Sequence, residues 1–258
     1  MTKENANELA NHLKELHLST VRECYEEVAE EARKESMTFE QYLKELIGRE
    51  CDVRRENRIV RFLRESKLPM EKTLETFDRS RLTEKVNAHV SMLLEGSFVD
   101  RTENVLAFGN PGSGKTHLLC AIGQELIQQG RRVLFSPCAL LVQLLLIAKR
   151  DLQLPYMLKR MGRYELIIID DIGYVQHSRE EMEVLFTLLA ERYERGSVMI
   201  TSNLPFSQWE KIFKDPMTTA AVIDRLVHHS IILELNIGSY RLEQSKKRKE
   251  GEKVRSAV

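Results

Sequence analysis

The sequence predicts an α/β fold, a five-stranded parallel sheet between helices, preceded by a small all-helical domain, and three observations carry that prediction. The stretch Gly109-Asn110-Pro111-Gly112-Ser113-Gly114-Lys115-Thr116 fits G-x-x-x-x-G-K-[ST] at every fixed position, with an apolar run at 104–108 before it and a helical pattern at 117–129 after it. Downstream, short apolar runs alternate with helix-period segments, which is how a parallel sheet covered on both faces reads. Upstream of residue 68 the period is helical throughout, without proline.

In chain order, Leu9, Leu13 and Leu16 share one helix face, and Phe39, Leu43, Leu46 and Ile47 share another. Thr38 followed three residues later by Gln41 forms a capping box ahead of that second run. An acidic block, Glu23, Glu26, Glu27, Glu30 and Glu31, gives way to a basic one with Arg49, Arg54, Arg55, Arg58, Arg61, Arg64 and Lys67. Arg54, Arg58 and Arg61 recur at i, i+4 and i+7, so they lie on one helical face and can track phosphates. The bland alternative is a solvated face balanced by Glu50, Asp52, Glu56 and Glu65. Pro69 breaks the period within 66–73, which divides the chain into a helical domain (1–68), a sheet-forming core (69–240) and a basic tail (241–258).

Within the core the expected strands are 104–108, 131–136, 165–170, 198–201 and 230–235. The expected helices are 117–129 stopped by Gly130, 137–150, 179–195 closed by Gly196, and 220–228, with a further helix running from Thr83 to near Gly96. Glycines at 112 and 114 let successive backbone N–H groups turn toward phosphate oxygens, and the following helix N-terminus adds its dipole. Lys115 would reach the β- and γ-phosphates and Thr116 would offer its hydroxyl to Mg²⁺. The run Leu166-Ile167-Ile168-Ile169 ends in Asp170, placed to hold Mg²⁺ through water, and Asp171, placed to polarise an attacking water. Asn203 follows another apolar strand, where its amide would face the γ-phosphate.

Composition excludes little. The 258 residues carry 39 basic and 39 acidic side chains, so bulk charge points to no partner, while 42% hydrophobic content supplies a core. Cys24, Cys51, Cys120 and Cys138 form no C-x-x-C pair and read as reduced, mostly buried thiols. No apolar run approaches ~18 residues, and no apolar core follows Met1, so a soluble cytoplasmic protein with no membrane partner is expected.

Taken together, GNPGSGKTH, the run LIIIDDIGY from Leu166 to Tyr174, ITSNLP from Ile200 to Pro205, Asp224-Arg225-Leu226, Ser239-Tyr240-Arg241, the Arg-rich helical N-terminus and Leu74-Glu75-Thr76-Phe77-Asp78 resemble the AAA+ ATPases of the DnaC and DnaA clade. Most closely they resemble the IstB-like transposition helpers of bacterial insertion sequences. That resemblance implies a P-loop NTPase that binds ATP and Mg²⁺ through Gly109 to His117, with Asn203 as sensor one and Arg241 as an imperfect sensor two. It implies a homo-oligomer in which Arg225 is an arginine finger supplied in trans. It also implies double-stranded DNA, held largely without sequence preference by Arg54, Arg55, Arg58, Arg61 and Arg64, and the transposase of the same element as partners. Asp171 stands where most AAA+ proteins carry Glu, which implies slow, assembly-dependent hydrolysis, and the chain ends too soon after its last strand for a full C-terminal lid. A DnaC-like helicase loader is the alternative, and a P-loop small-molecule kinase a further one. Against the kinase, Asp171, Asn203 and Arg225 in that order look like water activation and intersubunit sensing.

Overall fold

The computed structural model describes residues 3–173, 178–213 and 215–240. Tyr174, Arg241 and the rest of the basic tail lie outside them. The chain forms two compact units, Met1–Arg61 and Phe62–Val258.

The first unit is helical, built from α1 (Lys3–Glu15), α2 (Ser19–Lys34) and α3 (Phe39–Ser66), whose last turn belongs to the second unit. Leu13, Val21, Val28 and Leu46 form its core, with Leu9, Leu18, Cys24, Tyr25 and Tyr42 packed around them. The capping box at α3 is present, Gln41 N donating to Thr38 Oγ1 and Thr38 N to Gln41 Oε1. Buried Glu50 accepts from the amides of Thr20 and Val21, satisfying first-turn donors of α2. The expected apolar face of α3 is corrected: only Leu46 of its four residues is buried, whereas Phe39, Leu43 and Ile47 are exposed, as is Leu16 on the chain before α2. The buried row runs Tyr42, Leu46, Glu50, one residue around the helix from Phe39, Leu43, Ile47.

The second unit holds α4 (Glu84–Leu94), α5 (Ser97–Asp100), β1 (Asn104–Gly109), α6 (Lys115–Gln128), β2 (Val133–Pro137), α7 (Cys138–Arg150) and α8 (Leu154–Met161). It continues through β3 (Leu166–Ile172), α9 (Arg179–Arg192), β4 (Ser197–Ser202), α10 (Glu210–Phe213), α11 (Pro216–Val227) and β5 (Ser230–Leu235). All five strands are parallel, in the order β2-β3-β4-β1-β5, as the alternating pattern predicts. Strand alternation assigns the faces. Ile167 and Ile169 join a core shared with α7, α9 and α11, and Ile168 points the other way, to within 2.8 Å of where a Cβ on Gly123 of α6 would sit.

Asn104 ties the amino ends of β1 and β4 to the carboxyl end of α11: its Nδ2 donates to Leu226 O, and its Oδ1 accepts from Val198 N. The helix expected over 179–195 ends at Arg192, because Glu194 takes a left-handed φ of 57°. Gly196 does not stop it; a Cβ there would collide with the Arg192 guanidinium, which is buried and donates to the carbonyls of Met161, Tyr164, Glu165 and Ser197. Among the described residues no helix is long and apolar enough to cross a membrane.

Candidate nucleotide site

Parallel strands bring their carboxyl ends to one edge, and there the predicted residues meet. Gly109, Gly112 and Gly114 adopt φ of 153°, 80° and 93°, so the loop between β1 and α6 turns in a way that L side chains resist. A Cβ on Gly112 would run into the Ser239 hydroxyl, and one on Gly114 would stand 2.9 Å from the Phe77 ring. Lys115, at the first turn of α6, donates to Gly109 O at 2.8 Å, Asn110 O at 2.9 Å and Asn203 Oδ1 at 2.7 Å. Thr116 Oγ1 donates to Asp170 Oδ1 at 2.7 Å, and Thr201 Oγ1 donates to the same oxygen at 2.7 Å.

The acidic end of β3 is shaped by a bulge. Ile169 pairs with Ile200 and Ile172 with Ser202, so β3 spends one residue more than β4 over this step, and Asp171 takes a left-handed φ of 64°. The bulge separates the two carboxylates: Asp170 faces Thr116, while Asp171 accepts from Asn203 Nδ2 at 3.1 Å. Because β4 lies between β1 and β3, its last residues bridge the two halves of the site. Asn203 thereby joins Lys115 to Asp171 through opposite ends of one amide.

Beside the loop lies a cavity of about 190 Å³ whose walls include Lys72, Thr76, Phe77, Arg81, Ile237 and Tyr240. His117 belongs to this wall rather than to the phosphate side. Its Nε2 lies 2.9 Å from Thr73 O and 3.1 Å from Thr76 Oγ1, and its ring meets Phe77 edge-on. The chain after β5 crosses the loop, Tyr240 N donating to Gly112 O, while Arg81 donates to Gly238 O and lies over the Tyr240 ring. The sequence reading did not assign Phe77, Arg81, Ile237 or Tyr240 to the site. Phe77, Ile237 and Tyr240 carry no phosphate or metal signal by type, and Arg81 is one arginine among many in the sequence; only tertiary packing brings the four beside the loop.

The residues present fit a nucleoside triphosphate and a hard divalent cation. Ser113, 1% exposed, has a hydroxyl with no hydrogen-bond partner among the described residues, and Thr116 with Asp170 supplies the hydroxyl and carboxylate oxygens that Mg²⁺ takes.

Other predicted residues fall elsewhere. Arg225 sits near the end of α11, by the amino ends of the strands and so at the sheet edge opposite the P-loop, donating to Ala221 O and lying 5.2 Å over the Phe186 ring. Arg241 is outside the described residues. Arg54, Arg55, Arg58, Arg61 and Arg64 are all exposed on α3. Arg54 is engaged with Glu50 and with His17 O, and Arg55 with Asp52, whereas Arg58 and Arg64 make no ion pair among the described residues.

A parallel sheet with this strand order, a P-loop after its first strand and a bulged acidic pair on β3 bridged by an asparagine beyond β4 define a P-loop NTPase of the AAA+ type. DnaA from Aquifex aeolicus, bound to AMPPCP, superimposes with a TM-score of 0.54 at 19% identity, covering 72% of this chain and 56% of that one. DnaI superimposes equally well at 20% identity, covering 65% and 94%. At these identities the likeness is one of fold. The particular family is given by sequence: the profile of the IstB-like ATP binding proteins matches residues 11–248. An insertion sequence ATP-binding protein of Sinorhizobium fredii is 42% identical over 89% of this chain and 77% of its own length. The IS21 ATP-binding protein of Pseudomonas aeruginosa is 37% identical over 93% and 89%. The chain belongs to the IstB-like ATP-binding protein family of insertion sequences.

Proposed function

We propose that this protein is an ATPase that assembles on double-stranded DNA with ATP bound between subunits, and in that state recruits and stimulates the transposase of its insertion sequence. The observation that carries the reading is the Asn203 amide, which accepts from Lys115 and donates to Asp171. A lysine that reads phosphate charge and a carboxylate that handles water are thereby coupled by one side chain, as a hydrolytic switch requires.

In this reading the loop amides and Lys115 bind the phosphates of ATP, and the cavity walled by Phe77, Ile237 and Tyr240 takes the adenosine. Thr116 and Asp170 hold Mg²⁺, which when bound neutralises charge on the phosphates. Asp171 accepts the proton of the attacking water while Asn203 fixes its orientation. The bulge explains why aspartate suits this position: at φ 64° a short acidic side chain is among the best tolerated non-glycine choices, and its limited reach fits slow turnover. Arg225, remote from its own P-loop, serves the site of a neighbouring copy, where a guanidinium stabilises charge developing during transfer. ATP then favours assembly by binding the assembled state more tightly, and hydrolysis releases it. Arg58 and Arg64 of α3 contribute phosphate contacts without reading bases. Relatives at 35–42% identity are insertion sequence proteins, which favours transposition over helicase loading.

Sedimentation with duplex DNA, with and without ATP, tests the switch. Wild type is expected to form a large complex only with both ligands, and Lys115→Ala to form none; normal assembly by Lys115→Ala refutes the mechanism. Lys115→Ala and Arg225→Ala subunits, each inactive alone, are expected to regain part of the hydrolysis when mixed, because one intact composite site can form. No recovery, with co-assembly demonstrated, removes the trans role of Arg225.

A further inference from the structure

We propose that Phe186 is a positioning residue for Arg225: its ring holds the guanidinium in place, with its charge unneutralised, until it enters the nucleotide site of a neighbouring subunit. The proposal rests on the trans role of Arg225 given above and names the side chain of α9 that prepares it.

The backbone beneath Arg225 is fixed at both ends of α11. Pro216 pre-sets the first turn, and Asp215 caps it, its Oδ2 accepting from Thr218 N at 2.7 Å and its carbonyl from Thr219 Oγ1. At the other end Leu226 O accepts from Asn104. Between the ends, Val222 and Leu226 are buried in one core with Met182, Leu185 and Leu189 of α9. The seat of α11 on α9 is therefore set, and the freedom left at position 225 is that of the side chain. Two contacts restrain it: Nη1 donates one turn back to Ala221 O at 3.0 Å, and the guanidinium carbon lies 5.2 Å from the centre of the Phe186 ring.

The kind of restraint matters. Two acids stand close by, Asp224 next in sequence and Glu194 on the wall of the same small cavity, yet Arg225 forms no ion pair among the described residues. A carboxylate partner would offset the charge that a γ-phosphate has to meet, and it would have to be displaced as two subunits close. A ring face attracts the cation without neutralising it. Restraint before docking also reduces the rotamer entropy that a long side chain loses on docking. Packing asks less of this ring: α9 is seated by Met182, Leu185, Leu188 and Leu189, all buried, whereas Phe186 is half-buried at the edge of that core. Leucine there keeps the apolar contact and removes the ring face.

The test measures ATP hydrolysis by the full chain with duplex DNA. Phe186→Leu is expected to lower kcat about three- to thirtyfold, with binding of a fluorescent ATP analogue unchanged because Phe186 is remote from its own P-loop. Phe186→Tyr keeps the ring face and is expected to turn over like wild type. Should Phe186→Leu melt below wild type, Phe186→Met carries the same test. Subunit mixing then locates the defect. Asp171→Asn subunits lack the carboxylate for water but keep Arg225, and asparagine tolerates the left-handed φ at that position. Mixed with them, Phe186→Leu should hydrolyse faster than the sum of the two alone; mixed with Arg225→Ala, it should give no more than the sum. The reverse pattern places the defect in the variant's own P-loop site and overturns the proposal, as does wild-type turnover by Phe186→Leu. No gain with either partner, with co-assembly demonstrated, makes Phe186 a packing residue and overturns it too. If Asp171→Asn and Arg225→Ala give no gain with each other, the trans role of Arg225 itself fails, and the proposal falls with it.

Discussion

The two units distribute their apolar residues differently. In the ATPase unit both faces of the sheet are covered, so Val105, Leu106, Ala107 and Leu166 to Ile169 are wholly enclosed, and Trp209 is enclosed among Phe108, Phe206 and Phe213. In the helical unit the core consists of Leu13, Val21, Val28 and Leu46, while Phe39, Leu43, Ile47 and Val60 of α3 face outward. A strand in a covered sheet has no spare face, whereas one buried stripe is enough to seat a helix. Folding therefore dictates nearly every apolar position of the first kind and leaves many of the second kind free.

The largest expected effect follows from enclosure. Trp209→Ala removes a fully buried ring and leaves Leu204 O without the indole donor at 3.1 Å, which should cost the ATPase unit about 3–5 kcal/mol. The turn that it braces begins at Asn203, so nucleotide affinity should fall with stability. Denaturant midpoints and binding of a fluorescent nucleotide check both; a loss under about 1 kcal/mol would place Trp209 among surface positions and contradict the enclosure.

The cysteines report on the units separately. Burial pushes the Cys120 and Cys138 thiols up to about 12, which suppresses the reactive thiolate, while Cys51 is exposed and Cys24 packs against the helical core. Near pH 8 a thiol reagent should reach Cys51 first. Leu46→Ala should cost the helical unit about 2–5 kcal/mol and speed labelling of Cys24, leaving Cys120 and Cys138 at their wild-type rate. Peptide mapping of the labelled protein distinguishes the sites; equal acceleration at Cys120 would mean that the units open together.

What the sequence revealed follows the same divide. The P-loop, all five strands and the grouping of Lys115, Thr116, Asp170, Asp171 and Asn203 were legible, because fixed residue types in a covered parallel sheet have few other places to go. The bulge at Asp171 was not, since a register shift leaves no compositional mark. Nor were Phe77 and Tyr240, whose approach to the loop depends on chain segments far apart in sequence. Gly196 misled because a glycine after a helix usually ends it, whereas here its missing Cβ makes room for Arg192. The α3 face was misassigned because rows 39, 43, 47 and 42, 46, 50 are one residue apart and equally periodic, and the outward row is the more apolar one.

That last misassignment yields the smallest and most discriminating effect. Leu43 and Leu46 are three residues apart on one helix, similar by type and by pattern, yet the first is exposed and the second buried. Leu43→Glu should leave the helical unit within about 0.5 kcal/mol of wild type, as surface substitutions do, even though it places a charge on what the sequence pattern presents as the packed face. The same charge at Leu46 would be buried beside Val21 and Val28 and should unfold the unit. Thermal melts of the two variants, with Cys24 labelling as the local readout, separate the cases. If Leu43→Glu proves as damaging as Leu46→Ala, the outward row is covered in solution, and the helical unit has no more free apolar surface than the sheet.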